Sequence, residues 1–161
     1  MPSFKPNRPD KPIAPDEALA KLEHFCAYRE RCLKEVRTKL AGLGIRGRDA
    51  EQIIEVLQGD GFFNDERFAI AFAGGKFRMK HWGKVKIKLA LKNKKISEPL
   101  IKKALGEISD SDYRKMLQKV IAAKEKLVKE KDPYKRKYKI ASYAISRGFE
   151  PQLVWEVLGD D

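Results

Sequence analysis

The chain has 161 residues, 42% of them hydrophobic and 36% charged, and carries a formal net charge of +12 at pH 7. That length bounds one ordinary domain or a short array of small modules. A mean hydropathy of −0.55, with no run near ~20 consecutive apolar residues, argues against a membrane span. No basic-then-apolar leader opens the chain, so a cytoplasmic location and no membrane association are expected. The charge is unevenly placed. Residues 76–103 hold eleven Lys/Arg against one acid, Glu98, whereas residues 1–75 hold twelve of each sign. A net of +10 in so short a segment raises the potential of one surface and suits a polyanion or an acidic groove. A merely solvated lysine face is the plain alternative.

Taken in order, residues 1–15 contain Pro2, Pro6, Pro9, Pro12 and Pro15 with Lys5, Arg8 and Lys11 between them. Such spacing forbids a helix and predicts a disordered, extended basic arm. From Asp16 onward the apolar residues recur at three and four, and no stretch sustains period-two alternation, so the remainder reads as helices. Cys26 and Cys32 lie six apart without companion ligands and read as reduced, packed thiols. Breaks fall at Gly42–Gly44, Gly59–Gly61, Ser97–Pro99, Ser109–Ser111, Asp132-Pro133 and Arg147-Gly148. Asn64 or Asp65 is a candidate cap for the helix containing Phe68. Ser97 is one for the helix after it, and Asp110, Ser111 or Asp112 for the next.

These breaks expose an internal repeat. Val36, Leu40 and Ile45 recur as Ile87, Leu91 and Ile96 at an offset of 51, then as Ile140, Ala144 and Phe149 at 53. The helix that follows repeats as well, with Ile53, Val56 and Leu57 becoming Ile101, Ala104 and Leu105, then Val154, Val157 and Leu158. A helical period near fifty predicts tandem three-helix modules stacked into an elongated, curved all-α body. The expected boundaries are 16–63, 64–109 (the basic module) and 110–161.

Gly61-Phe62-Phe63-Asn64-Asp65-Glu66-Arg67-Phe68-Ala69, then Trp82-Gly83, Ile87, Leu91 and Ile96-Ser97, then Arg147-Gly148-Phe149, occur in that order. Over residues 16–158 this pattern resembles the RecX regulatory proteins. The resemblance implies three tandem three-helix repeats and a non-enzymatic regulator that binds filaments of the RecA recombinase on DNA. It further implies inhibition of their ATPase, strand-exchange and co-protease activities in DNA repair and the SOS response. Two residues depart from the family pattern. Lys94-Lys95-Ile96 stands where Lys-Gly precedes the isoleucine, making a left-handed turn costlier. Cys32 replaces a small polar residue at the start of the first module's middle helix.

In a helix from about Trp82 to Asn93, Lys84, Lys88 and Lys92 fall in one stripe, and Lys95 rejoins it if the helix runs on. Trp82, Val85 and Leu89 are expected buried on one flank, with Ile87, Ala90 and Leu91 across the other. Arg78, Lys80 and His81 lead into the ridge, and Lys102 and Lys103 extend it onto the next helix. The expected contact set for the recombinase filament and for DNA is therefore Arg78, Lys80, Lys84, Lys88, Lys92, Lys94, Lys95, Lys102 and Lys103. Lysine outnumbers arginine, which suits tracking of phosphates or carboxylates along single- or double-stranded DNA or protein, and not base readout. A free-standing, non-specific DNA-binding module is the alternative reading, and either would act as a monomer.

A second basic stretch, 124–139, holds eight Lys/Arg and three acids with Tyr134 and Tyr138. Aromatics among cations can stack bases, but helical spacing favours packing, as it does for Phe62, Phe63, Phe68, Phe72, Trp82 and Trp155. Gly42-Leu43-Gly44-Ile45-Arg46-Gly47 matches G-x-G-x-x-G without the strand that a dinucleotide site needs, and reads as a turn. With His24 and His81 far apart and Glu98 the one acid in the ridge segment, no catalytic set, metal site or cofactor is expected.

Overall fold

A computed structural model describes residues 13–159; most of the expected N-terminal arm lies outside the described residues. Among these residues the chain forms nine helices and no strand, so it is all-α as expected. They are α1 (Pro15–Tyr28), α2 (Leu33–Gly42), α3 (Gly47–Gly59), α4 (Asp65–Lys80), α5 (Lys84–Asn93), α6 (Glu98–Gly106), α7 (Asp110–Glu125), α8 (Pro133–Ser146) and α9 (Pro151–Leu158). Pro15 opens α1, where its missing N–H has no intrahelical partner to lose. Two compact units are divided between Phe68 and Ala69, within α4.

In the first unit α1, α2 and α3 pack on one another around Ala18, Leu22, Val36, Leu40 and Leu57, all essentially inaccessible. Cys26 and Cys32 are both buried thiols. Cys32 stands before α2, and its N–H donates to the Glu35 carboxylate at 3.4 Å. Arg29 holds the same carboxylate at 3.0 Å, so a buried acid carries the polar work at this terminus. The first N–H of α2, that of Leu33, donates to Asp65 Oδ1 at 2.8 Å. Asn64 caps α4 by accepting from the Arg67 N–H at 3.0 Å, so of the two candidates one caps its own helix and the other an earlier one.

In the second unit α5 packs on α6, and α7, α8 and α9 pack mutually. The cap of α7 is Ser109, one residue before the three candidates, accepting from the Asp112 N–H. Ser97 precedes α6 without a side-chain cap bond, whereas Asp132 caps α8 through the N–H groups of Tyr134 and Lys135. All nine residues of the repeated triads are buried, from Val36, Leu40 and Ile45 through Ile140, Ala144 and Phe149. The repeat extends to the backbone. Gly44, Lys95 and Gly148 occupy the same turn and have φ of +80°, +60° and +101°. A lysine there bears a side-chain clash that the two glycines avoid.

The start of α5 is held from outside. Gly83 precedes it and offers no side-chain cap. Its N–H donates instead to the Arg147 carbonyl at 2.8 Å, and the Val85 N–H to the Gly148 carbonyl at 2.9 Å. The Lys84 N–H between them donates to the Tyr113 hydroxyl at 2.9 Å, and that hydroxyl donates to Glu150. Tyr113 is buried, its ring 5.2 Å from Phe149 and 6.0 Å from Phe77. Burial first, then the Glu150 carboxylate, pushes its hydroxyl pKa upward. A Cβ on Gly83 would run into the Gly148 backbone, and one on Gly148 into Lys86.

Three measurements follow from this packing. Gly83→Ala forces those backbones apart and should lower unfolding free energy by about 1–3 kcal/mol in urea. Lys95→Gly should raise it by up to about 1 kcal/mol by relieving the left-handed strain. The Tyr113 contribution is fully present below the unfolded hydroxyl pKa of about 10 and falls as pH rises above it. The difference in urea midpoint between the wild type and Tyr113→Phe should therefore shrink from pH 8 to pH 11.

Candidate functional site

Lys84, Lys88 and Lys92 form one stripe of the short helix α5, bordered by Ile87 and Leu91, both inaccessible, while Lys86 lies on a different face against Trp82. Trp82 lies before the helix, not in it, and is half-buried, with Lys76 and Lys86 over its ring at 5.0 and 4.6 Å. Val85 and Leu89, expected in the core, are 52% and 61% exposed. The reason is geometric: at about 100° per residue Val85 and Leu89 fall on the side of α5 away from the buried Ile87 and Leu91. The ridge therefore has an apolar edge.

Lys84, Lys88 and Lys102 line one groove of about 690 Å³ between α5 and α6, with Glu98, Pro99 and Leu105. Lys92 joins them through Glu98, which it meets at 3.1 Å while Lys88 stands at 3.9 Å from the other oxygen. Lysines four apart repel by a few tenths of a kcal/mol per pair, and the single acid of the segment sits where it offsets that repulsion. The Lys92 hydrogen bond, its charge and then that of Lys88 hold the Glu98 carboxyl below the usual carboxylate range. Glu98 also opens α6, where the helix dipole favours a negative charge. Lys84 is half-buried, its ammonium 4.7 Å from the Tyr113 ring centre. The ridge is thus partly compensated by the one acid of its segment.

The other expected contact residues are dispersed. Arg78 lines a separate groove of about 530 Å³ with Gly74, Phe77, Lys115 and Lys119. Lys80 ends α4, exposed, its carbonyl accepting from the Arg147 guanidinium. Lys94 follows α5, half-buried, and Lys95 is exposed in the left-handed turn, so the helix does not carry it back onto the stripe. Lys103 is exposed on α6 beside Lys102 but outside the groove. Four lysines and one acid come together; Arg78, Lys80, Lys94, Lys95 and Lys103 surround them at a distance or on other faces.

The tyrosines differ most from expectation. Tyr134 and Tyr138 are 79% and 66% exposed, not packed. The buried stripe of α8 is Ile140, Ala141 and Ala144, and the two tyrosines fall off it. Their spacing places them beside each other, and the side of α8 that is covered is set by the helices packed against it. Phe63 and Phe68 are buried as expected, while Phe62, Phe72 and Trp155 are half-buried. Among the described residues no helix is long and apolar enough to cross a membrane, and no group of three or more His, Cys, Asp or Glu is placed to hold a metal ion.

Residues 64–105 match the family domain described as RecX, second three-helix domain, and residues 112–158 the one described as RecX, third three-helix domain. The Regulatory protein RecX of Chlorobium phaeobacteroides is 34% identical over 132 residues, which cover 81% of this chain and 83% of that protein. That of Thermotoga petrophila is 30% identical, covering 81% of this chain and 76% of the relative. The RecX of Clostridium acetobutylicum is 33% identical over 129 residues, and the match spans 59% of that relative's length. Two solved structures share the fold. A regulatory protein RecX superposes with a TM-score of 0.81 at 19% identity, covering 91% of this chain and 72% of the other. RecX from Lactobacillus salivarius superposes at 0.80 with 20% identity, covering 89% and 94%. With both domain matches falling on the modules built from α4–α6 and α7–α9, and with relatives alike over most of their own length, this chain belongs to the RecX family of regulatory proteins.

Proposed function

We propose that this protein is a binding regulator of the RecA recombinase that seats its α5–α6 groove on the recombinase filament and inhibits ATP turnover, strand exchange and co-protease action. The observation that carries this reading is the convergence of Lys84, Lys88, Lys92 and Lys102 around the single acid Glu98, beside the exposed apolar edge of Val85 and Leu89. Lysines act as point charges toward carboxylates and phosphates alike. An adjacent apolar edge adds area that a phosphate backbone does not reward but a protein surface does. A filament on DNA offers protein surface and phosphates together. Engagement of more than one recombinase subunit at once opposes the rearrangements that turnover and strand exchange require. The protein works in this reading as a cytoplasmic monomer, without catalysis, metal or cofactor.

The alternative is a free-standing, non-specific DNA-binding module, favoured by the helix–turn–helix arrangement of α5 and α6. The second helix offers Lys102 and Lys103 but no Arg, Asn or Gln to read base edges. Salt separates the two. If four lysines neutralise duplex phosphates, affinity falls roughly 150-fold between about 50 and 200 mM salt, whereas a protein-dominated contact responds far less.

The DNA-dependent ATPase of the recombinase, titrated with this protein, tests the proposal. Lys84/Lys88/Lys92→Glu should raise the concentration for half-inhibition at least about tenfold, and equal inhibition by wild type and variant would remove the groove from the account. Glu98→Gln releases Lys88 and Lys92 and should act in the opposite sense, with inhibition at several-fold lower protein concentration. Val85→Ser/Leu89→Ser should weaken filament binding and leave duplex binding unchanged, measured by co-sedimentation.

A further inference from the structure

The third module carries a second surface that the lysine groove does not use. Tyr134 and Tyr138 stand on successive turns of α8, most of each ring open to water. Burying side chains of this size is favourable, so two adjacent open rings are a stabilisation the fold leaves unused. Paired exposed aromatics of this kind mark interaction sites. A cation follows each ring directly in sequence, as Tyr134-Lys135 and Tyr138-Lys139, and the pair repeats after four residues, about 6 Å along the helix.

Two adjoining grooves share Tyr138 and Lys139. One, of about 440 Å³, is bordered by Tyr134 and Trp155; the other, of about 820 Å³, runs on to Tyr143 and Lys131. Tyr143 is 37% exposed with the Lys124 ammonium 4.6 Å from its ring centre. The acids here are already engaged. Glu130 is paired with Lys139 at 2.9 Å, and the Asp132 carboxylate accepts the first N–H groups of α8. The free polar character of the surface is therefore cationic, and its apolar character is aromatic.

We propose that this face of α8 is a base-stacking site for single-stranded nucleic acid, in which Tyr134 and Tyr138 each take an unpaired base and Lys131 and Lys135 hold the phosphates. Lys131 just before α8, then Tyr134, Lys135 and Tyr138 on it, alternate cation and ring, which matches a ligand that itself alternates phosphate and base. An open ring face stacks on any base, but only when that base is unpaired. The site thus recognises the single-stranded state without reading sequence, a selectivity that point charges alone do not provide. It lies on other elements than the α5–α6 groove and stands or falls separately from it.

The full chain, without recombinase, is titrated into a labelled oligo-dT of about 20 nucleotides, a duplex of the same length and an abasic strand with the same number of phosphates. Binding is read by fluorescence anisotropy. Tyr134→Ala/Tyr138→Ala should weaken oligo-dT binding by about tenfold or more, with the helical circular dichroism unchanged. Tyr134→Phe/Tyr138→Phe should bind within about twofold of wild type, because the ring and not the hydroxyl stacks. Duplex and abasic strand should bind all three proteins alike. Equal oligo-dT binding by wild type and the double-alanine variant overturns the proposal, as does an equal loss on duplex or abasic strand. Capture of anionic vesicles that depends on the tyrosines while oligo-dT binding does not would assign the face to membrane surfaces and overturn it too. Lys84/Lys88/Lys92→Glu should preserve the difference between tyrosine and alanine, so a failure of the groove and a failure of this face give different results.

Discussion

The first N–H of the middle helix in each of the first two modules donates to a side chain supplied by the module that follows, whereas α8 is capped by its own Asp132. In α2 the first N–H, of Leu33, goes to Asp65 at the start of α4. In α5 the first N–H, of Lys84, goes to Tyr113 near the start of α7. These positions are related by the same offsets of 51 and 48 that relate the buried triads and the second helices. The repeat is thus a repeat of a hydrogen bond as well as of a hydrophobic pattern. A buried N–H without an acceptor costs about 1–3 kcal/mol, so each junction is specified by a polar contact that admits one register. At the second junction the constraint is tighter, because the Gly83 and Gly148 backbones approach too closely for a side chain on either.

That junction sets the orientation of the basic surface. With Gly83, Lys84 and Val85 all bonded into the third module, the axis of α5 is fixed at its first turn. Ile87 and Leu91 fix its rotation. The lysines then have one place to point. Their mutual repulsion is eased by Glu98, which holds Lys92 closely and Lys88 loosely. Such a groove is stable enough to exist in the free protein yet keeps a positive excess for a partner. Exposed ion pairs of this kind are weak and are screened by salt, so they yield readily to a better counter-charge.

Much of this was legible in the residues. The triads beginning at Val36, Ile87 and Ile140 placed the core and the module period because burial of apolar stripes obeys a strict angular rule. The lysine stripe was legible for the same reason, and the strained turn at Lys95 was implied by the family resemblance, whose pattern has a glycine there. What did not follow were features decided by neighbours remote in sequence. Val85 and Leu89 widen the apolar arc of α5 on a helical wheel, and how much of that arc is covered depends on the helices that α5 meets. Tyr134 and Tyr138 share a face, but which face depends on where α7 and α9 lie. Tyr113 and Glu150 give no local signal at all, since their role is to complete a helix begun about thirty residues before Tyr113.

The direction of these junction bonds bears on how the chain matures. A ribosome releases the polypeptide from its amino end at a finite pace, so Leu33 emerges well before Asp65, and Lys84 before Tyr113. The opening turn of α2, and later that of α5, must stay hydrated until the next helix is delivered. Completion therefore travels along the nascent chain in the order of translation, each newly made segment sealing the one before it.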